Sequence, residues 1–243
     1  MRIAETFRGY LRNLYLSLKD YDSHLRFVML TGISKFSKTG VFSAMNNLND
    51  LSMDEPFGAV VGYTQAELED NFSDWIDVAA EKMELSRVSF LAQLKDYYDG
   101  FCFDGVTRLY NPFSIMQCLQ KARCENYWYE SASPSFIVAY MQQHGIEDPE
   151  AYRHLKVTSD FVGIQEIERA RPESFLYQAG YLTIESREEQ ELTLDYPNRE
   201  VLDSLSRMYL EIVYRVEGYV SIGSNLWRSE EHTSELQSRS AIS

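Results

Sequence analysis

The stretch LRFVMLTGISKFSKTG, from Leu25 to Gly40, decides how the fold of this chain is interpreted. Its first part, Leu25 to Ile33, contains the continuously apolar run FVML. A strand without polar alternation is typical of a parallel sheet that is covered by helices on both faces. Apolar residues recur every three or four positions over 2–21 and again from Val41 to Leu48, which predicts a helix on each side of the strand. This order of elements predicts an α/β unit at the N-terminus.

The turn after this strand differs by one letter from a phosphate-binding loop. Gly32 to Thr39 reads G-x-x-x-x-S-K-T, with Ser37 where such loops have the glycine before the lysine. A side chain at that position crowds the phosphate, and a positive φ costs a non-glycine residue about 1 kcal/mol or more. A polar turn is therefore favoured over a degenerate phosphate loop that uses Lys38.

Several helix starts are marked further along the chain. Thr64 and Glu67 have the spacing of a capping box, and Ser86 precedes a second apolar period. Asn111 followed by Pro112 indicates another helix start. Further helices are predicted from Pro134 to Gln143 and from Ser174 to Ala179, and two D-G turns are expected within 97–105. The region 51–149 is thus predicted to be mainly helical.

A β-hairpin is predicted near the end of the chain. The runs YLTI (181–184) and ELTL (191–194) are rich in β-prone residues and are joined by a charged loop. A helix with one apolar face is expected to start at Pro197 or Asn198. With its neighbouring helices the hairpin resembles a wing, so the region 150–227 is predicted to be winged-helix-like.

Composition excludes several classes of function. The 243 residues are 44% hydrophobic and carry a net charge of −14, so we expect a packed core, no direct binding of nucleic acid, and a cytoplasmic protein. The sequence contains no run of about 18 apolar residues, so no membrane span is predicted. The cysteines and histidines lack metal-ligand spacing, so no metal site is expected and the thiols are expected to be reduced and buried. These residues are Cys102, Cys118, Cys124, His24, His144, His154 and His232.

The carboxylates and aromatic residues have ordinary structural explanations. Acidic runs near Glu67 and Glu188 are expected to be solvated, and Asp195 is not followed by the E-x-K spacing of a nuclease site. The aromatic cluster around Tyr97 and Trp128 lacks interleaved basic residues, so it indicates a core or a domain interface.

Seven segments, in this order, resemble an AAA-ATPase-like family of bacterial proteins that usually carry a C-terminal PD-(D/E)XK nuclease-like domain. The resemblance covers residues 2 to about 215. The segments are LTGISKFSK with FSAMNNLNDLS, GYTQAELEDNF, YYDGFCF, LYNPFSIMQCL, YWYESASPSFI, LYQAGYLTI and LDYPNREV.

The resemblance implies a role for the opening stretch. The family's phosphate loop lies upstream in an R-P-R-R-F-G-K-S type segment, followed by an acidic magnesium-binding strand, and this chain has neither. The family pattern places TGISKFSK at the end of a later core strand, where such ATPases have a polar sensor of the γ-phosphate. Thr31, Ser34 and Lys35 are the candidate sensor residues. ATP and magnesium are then expected cofactors of a full-length relative, with none expected for this chain alone.

The fold class that follows is an α/β remnant of a P-loop ATPase core, then a mainly helical region with a winged-helix-like hairpin, α+β overall. The predicted divisions are 1–50 for the ATPase remnant, 51–149 for a helical lid, 150–227 for the wing and 228–243 for a disordered tail. That tail resembles translated sequencing-adaptor DNA and is expected to be non-native, so the chain is expected to be truncated at both ends.

Two other functions stay open at this point. The chain could be a non-catalytic module that binds a partner protein or a second copy of itself. It could instead be a small kinase-like enzyme in which Lys38 binds ATP.

Overall fold

The computed structural model describes residues 2–32, 49–131, 140–141, 143, 148–162 and 171–214. Its α-helices are α1 (Arg2–Asp20), α2 (Gln65–Lys82), α3 (Arg87–Tyr98), α4 (Pro112–Lys121), α5 (Trp128–Ser131), α6 (Pro172–Gln178) and α7 (Arg199–Tyr214). Its strands are β1 (Leu155–Thr158), β2 (Thr183–Glu188) and β3 (Glu191–Asp195). Short 3-10 helices span Asp22–His24, Glu55–Phe57, Pro149–Tyr152 and Ser159–Val162. The predicted helix at 41–48 and the tail 228–243 lie outside the described residues, as does most of the predicted helix at 134–143.

The N-terminal helix is confirmed, but the strand predicted after it is wrong over its described part. Residues 25–32 contain no strand, and Phe27 and Met29 are 78% and 61% exposed. An apolar strand needs neighbouring strands to pair its backbone groups and helices to cover its faces. The three strands among the described residues pair with one another instead, so nothing described here completes a parallel sheet around this segment.

The helical region begins at the predicted capping box. Thr64 Oγ1 accepts a hydrogen bond from the Glu67 backbone N–H, and the Glu67 carboxylate accepts one from the Thr64 N–H. Ser86 caps α3 and Asn111 caps α4, each by accepting hydrogen bonds from the first turn. These three helices bury one apolar cluster, called here the helical core. Its members are Leu68, Ile76, Ala79, Ala80, Phe90, Leu94, Tyr98, Tyr110, Ile115, Cys118, Leu119 and Tyr127.

The aromatic loop between α3 and α4 contains both D-G pairs, and of the two predicted turns the chain bends at Asp104–Gly105 but not at Asp99–Gly100. Gly100 and Gly105 have positive φ values of 115° and 89°. A Cβ at Gly100 would lie 1.9 Å from the carbonyl oxygen of Pro197, so only glycine allows this loop to approach the turn before α7. Thr183 Oγ1 then joins the loop to β2, because it accepts from the Cys102 N–H at 2.7 Å and donates to the Cys102 carbonyl at 2.9 Å.

The predicted hairpin is confirmed as β2 and β3, and sequence reasoning missed β1. The sheet is antiparallel with the order β1-β3-β2, and a bulge shifts the β2–β3 register between Ile184 and Ser186. One face of the sheet packs with α6 and α7 in a second apolar cluster, called here the sheet core. Its buried members include Phe175, Leu176, Tyr181, Leu182, Ile184, Leu192, Leu194, Val201, Leu205 and Met208.

The capping box generates a test of the helical region. Replacing Thr64 by alanine should lower the free energy of unfolding by about 1 kcal/mol, because the first turn of α2 loses its side-chain acceptor. Thr64→Ser keeps the hydroxyl and should lose much less. Urea denaturation of both variants checks this expectation, and equal losses would show that the hydroxyl does not act as a cap.

Candidate functional site

The predicted sensor residues fall at the edge of the described structure. Thr31 is exposed in the irregular segment that follows the 3-10 helix Asp22–His24, while Ser34 and Lys35 lie outside the described residues. The structure therefore brings no described group to Thr31, and the sensor assignment stays a prediction.

The segment before Thr31 forms an exposed apolar surface. Phe27 and Met29 are largely exposed in it, and Leu25 and Tyr21 are 38% and 62% exposed. Helix α1 has exposed apolar side chains of its own, Tyr10 and Leu14. The segment therefore leaves several neighbouring apolar side chains open to solvent.

The second feature is a fully buried carboxylate at the start of α7. Glu200 has 0% exposure, and its Oε1 accepts from the backbone N–H groups of Tyr127 and Trp128 at 2.6 and 2.8 Å. The Ser114 hydroxyl donates to Oε2 at 2.8 Å. One side chain thus links α4, the turn before α5 and α7.

A side-chain amide supports the same junction. Asn126 Nδ2 donates to the Glu200 backbone carbonyl at 3.0 Å and to Ser204 Oγ at 2.9 Å. Asn198 caps α7 by accepting from the Val201 N–H at 3.1 Å. The carboxylate also lies in the first turn of α7, where the helix dipole favours negative charge.

Burial has a large effect on the ionisation of this group. Burial raises the pKa of Glu200 to about 7, and the hydrogen bonds from Ser114, Trp128 and Tyr127 oppose part of that rise. A carboxyl group that titrates near neutral pH is a candidate acid or base. Glu200 is closed to solvent and its oxygens are occupied by protein donors, so we assign it a structural role.

The third feature is a cluster of side chains at one end of the sheet. His154 Nδ1 lies 2.7 Å from Glu185 Oε2 and 3.4 Å from Asp195 Oδ2, and one ligating atom from each residue lies within 4.8 Å of the others. The hydrogen bond to Glu185 raises the pKa of His154, and the negative charges of both carboxylates add to this effect. Among the described residues these are the ones able to hold a metal ion.

Sequence reasoning missed both carboxylate sites for the same reason. The ligand atoms near His154 come from three separate segments, and the partners of Glu200 come from α4 and from the turn before α5. No local spacing marks either set. The one local signal was Asn198 before an acidic residue, which indicates a helix start and says nothing of burial.

The predicted burial is confirmed for two of the three thiols. Cys102, Cys118 and Cys124 are free; the first two are buried and the third is half-buried. The Sγ atoms of Cys118 and Cys124 are 3.0 Å apart. Burial raises the pKa of Cys102, and the contact with the Cys124 thiol, together with burial, raises the pKa of Cys118. A reactive thiolate needs the opposite shift. Among the described helices none is both long and apolar enough to cross a membrane.

The ionisation of Glu200 generates a second test. The ordinary pKa of 4.5 applies to the unfolded chain and a pKa of about 7 to the folded one, so the folded protein binds more protons between these values. The protonated Glu200 therefore stabilises the folded state, and this contribution to the free energy of unfolding should be lost as pH rises from about 4.5 to about 7. Glu200→Gln removes the titration, so wild type should become less stable relative to this variant across that window.

The control for this measurement is Glu200→Ala, which leaves the N–H donors of Tyr127 and Trp128 without an acceptor. We expect it to lower the free energy of unfolding by about 3 kcal/mol near pH 5, and this deficit relative to wild type should shrink as pH rises toward 7, because the variant also lacks the titration. Urea denaturation between pH 5 and pH 8 (roughly the window set by linkage) checks both results. Parallel pH profiles for wild type and Glu200→Gln would contradict a raised pKa at this residue.

Comparison with known proteins gives two matches. Residues 1–42 match the model of a family described as a predicted AAA-ATPase. The chain is also 35% identical over 212 residues to a protein of Azotobacter chroococcum mcd 1 described as an uncharacterized protein in the vnfD 5' region. No solved structure matches the chain.

These matches support the coarser part of the resemblance. The matched 42 residues include Thr31, Ser34 and Lys35, so the N-terminal segment is similar to a predicted AAA-ATPase. The alignment with the Azotobacter protein covers 86% of this chain and 39% of the relative. The chain thus spans about two fifths of that relative's length.

Proposed function

We propose that this chain is part of an AAA-like ATPase, in which the turn after Leu30 senses the γ-phosphate of ATP. The observation that carries the proposal is the family match over residues 1–42, which contains all three predicted sensor residues. The remainder of the nucleotide site, with its phosphate loop and magnesium ligand, would come from a longer protein. ATP and Mg²⁺ are the cofactors of that longer protein in this proposal.

The exposed apolar segment supports the same proposal. A continuously apolar stretch such as Phe27–Leu30 is stable as a strand only when other strands pair with it and helices cover it. In this chain Phe27 and Met29 are largely exposed instead. A relative of which this chain spans 39% has enough additional sequence to supply the missing strands.

The finer points of the proposal rest on the resemblance. The three-stranded order β1-β3-β2, with a helix between β1 and β2, is compatible with a winged-helix-like region. Coupling to a nuclease-like domain is proposed for the longer protein alone. This chain would then contribute a phosphate sensor and an interdomain surface, without hydrolysing ATP by itself.

A second candidate is a protein-interaction module that binds no nucleotide. A shallow apolar groove between α2 and α4 favours it, because Trp75 and Met116 line this groove and are 59% and 48% exposed. The acidic surface fits a basic partner protein. The two candidates differ in whether ATP has any effect on the longer protein.

The sensor assignment can be tested in a full-length protein that contains this segment. Replacing Ser34 or Lys35 by alanine should lower kcat for ATP hydrolysis by at least about tenfold, because each side chain is proposed to contact the transferring phosphoryl group. Lys38→Ala is the matched control and should leave kcat within about twofold.

Each result discriminates between the candidates. Unchanged hydrolysis in both Ser34→Ala and Lys35→Ala would refute the sensor assignment. If the isolated 243-residue chain bound ATP and lost that binding in Lys38→Ala, the degenerate phosphate loop would be the correct interpretation. If the full-length protein neither bound nor hydrolysed ATP, the interaction module would be favoured.

The apolar segment gives a further prediction for the isolated chain. Phe27→Ser should reduce the fluorescence of the hydrophobic dye ANS, because it interrupts an exposed apolar surface that also contains Leu25 and Met29. Val88→Ser is the control, since Val88 is equally exposed at 78% but lies between polar neighbours on α3. Equal dye binding by wild type and Phe27→Ser would show that the segment is not an uncovered interface.

A further inference from the structure

Three segments of the chain meet at one end of the antiparallel sheet. Leu155 pairs with Leu194, so His154 and Asp195 are neighbours just beyond that pair. On the other side of β3, Thr183 pairs with Asp195 and Ile184 with Leu194, so Glu185 lies one residue further along β2, in the bulge between Ile184 and Ser186. The register and this bulge together leave one ligating atom of each of the three residues within 4.8 Å of the others.

Two of these residues occupy irregular backbone positions. His154 has a φ of 49°, which is uncommon for a residue with a side chain. Glu185 lies in the bulge between Ile184 and Ser186, and a bulge redirects the side chain of the extra residue. Both irregularities direct a metal-ligating side chain to the position that Asp195 reaches from the end of β3.

Neighbouring groups orient the cluster. Asp195 is 8% exposed, and its Oδ1 accepts a hydrogen bond from the Tyr196 N–H at 2.7 Å. The same oxygen forms an ion pair with Arg153 Nε at 3.6 Å. Its Oδ2 is thereby turned toward His154. The Glu185 carbonyl accepts from Arg108 Nη2 at 2.6 Å, which holds the bulge in place. Such second contacts orient the ligands of a metal site before the ion arrives.

The spacing of the ligand atoms suits a small divalent ion. Bonds of about 2.1 Å in a tetrahedral arrangement separate the ligand atoms by about 3.4 Å. His154 Nδ1 lies 3.4 Å from Asp195 Oδ2 and 2.7 Å from Glu185 Oε2, so the half-exposed Glu185 side chain has to withdraw by less than about 1 Å.

We propose that His154, Glu185 and Asp195 bind a zinc ion through Nδ1, Oε2 and Oδ2, with a fourth position open to water or to a ligand from solution. One imidazole nitrogen with two carboxylates favours Zn²⁺ over Mg²⁺ and Ca²⁺, which prefer oxygen donors alone. Two carboxylates also balance the charge of the ion. The site clamps the start of β1, the bulge of β2 and the end of β3, and it does not depend on ATP.

The test is a calorimetric titration of the chelator-treated chain with Zn²⁺ near neutral pH. Wild type should bind one zinc ion that is lost, or weakened at least about tenfold, in each of three variants. These variants are His154→Ala, Glu185→Gln and Asp195→Asn. His24→Ala and Glu188→Gln, which remove an exposed histidine and an exposed carboxylate elsewhere, should bind as wild type does. Co²⁺ in place of zinc should show the visible absorption of a four-coordinate ion in wild type and in the two controls, and in none of the three ligand variants.

The proposal is overturned by any of three outcomes. The first is that wild type binds no zinc at about 0.1 mM. The second is that His154→Ala and Glu185→Gln bind zinc as tightly as wild type does. The third is that a roughly tenfold excess of Mg²⁺ displaces the zinc, because the nitrogen ligand should prevent this. His154 and Glu185 are partly exposed, so these two variants should fold even if Asp195→Asn does not. Circular dichroism verifies folding in each case.

Discussion

The fold depends on one buried carboxylate. Glu200 accepts hydrogen bonds from Ser114, Tyr127 and Trp128, and these residues belong to segments that pack on different sides of it. Tyr127 and Ile115, next to Ser114, lie in the helical core, while Val201, next to Glu200, lies in the sheet core. The two apolar clusters are therefore joined through a polar centre. The backbone N–H groups of Tyr127 and Trp128 are satisfied at this centre only while the carboxylate is present.

The buried carboxylate costs stability, but it defines the position of α7 relative to α4. A hydrophobic contact between the two cores would allow α7 to slide or rotate against α4, whereas a carboxylate with three directed donors fixes its position. The close approach of Gly100 to the Pro197 carbonyl adds a second constraint at the same end of α7. The cost is a desolvated charge, which explains why the pKa of Glu200 is raised despite its hydrogen bonds.

Local signals in the sequence predicted local structure, and non-local features escaped them. Thr64, Ser86 and Asn111 were identified as caps because capping involves residues within one turn, and the hairpin followed from two β-prone runs joined by a charged loop. The strand at 25–33 was predicted from its apolar run, but a strand also needs partners, and the described residues supply none. Glu200 and the His154 cluster were missed because their partners are remote in sequence.

The two carboxylate centres differ in what their neighbours leave available. At Glu200 the oxygens meet backbone and hydroxyl donors in a closed interior, so no lone pair faces a space that a ligand can enter. At Asp195 one oxygen is held by the Tyr196 N–H while the other faces the exposed ring of His154. Such a carboxylate is held in place through one oxygen. At its other oxygen, a metal ion can replace the hydrogen-bond donor. Burial and the direction of the free lone pair, rather than the carboxylate itself, therefore separate the structural role of Glu200 from the ligand role proposed for Asp195.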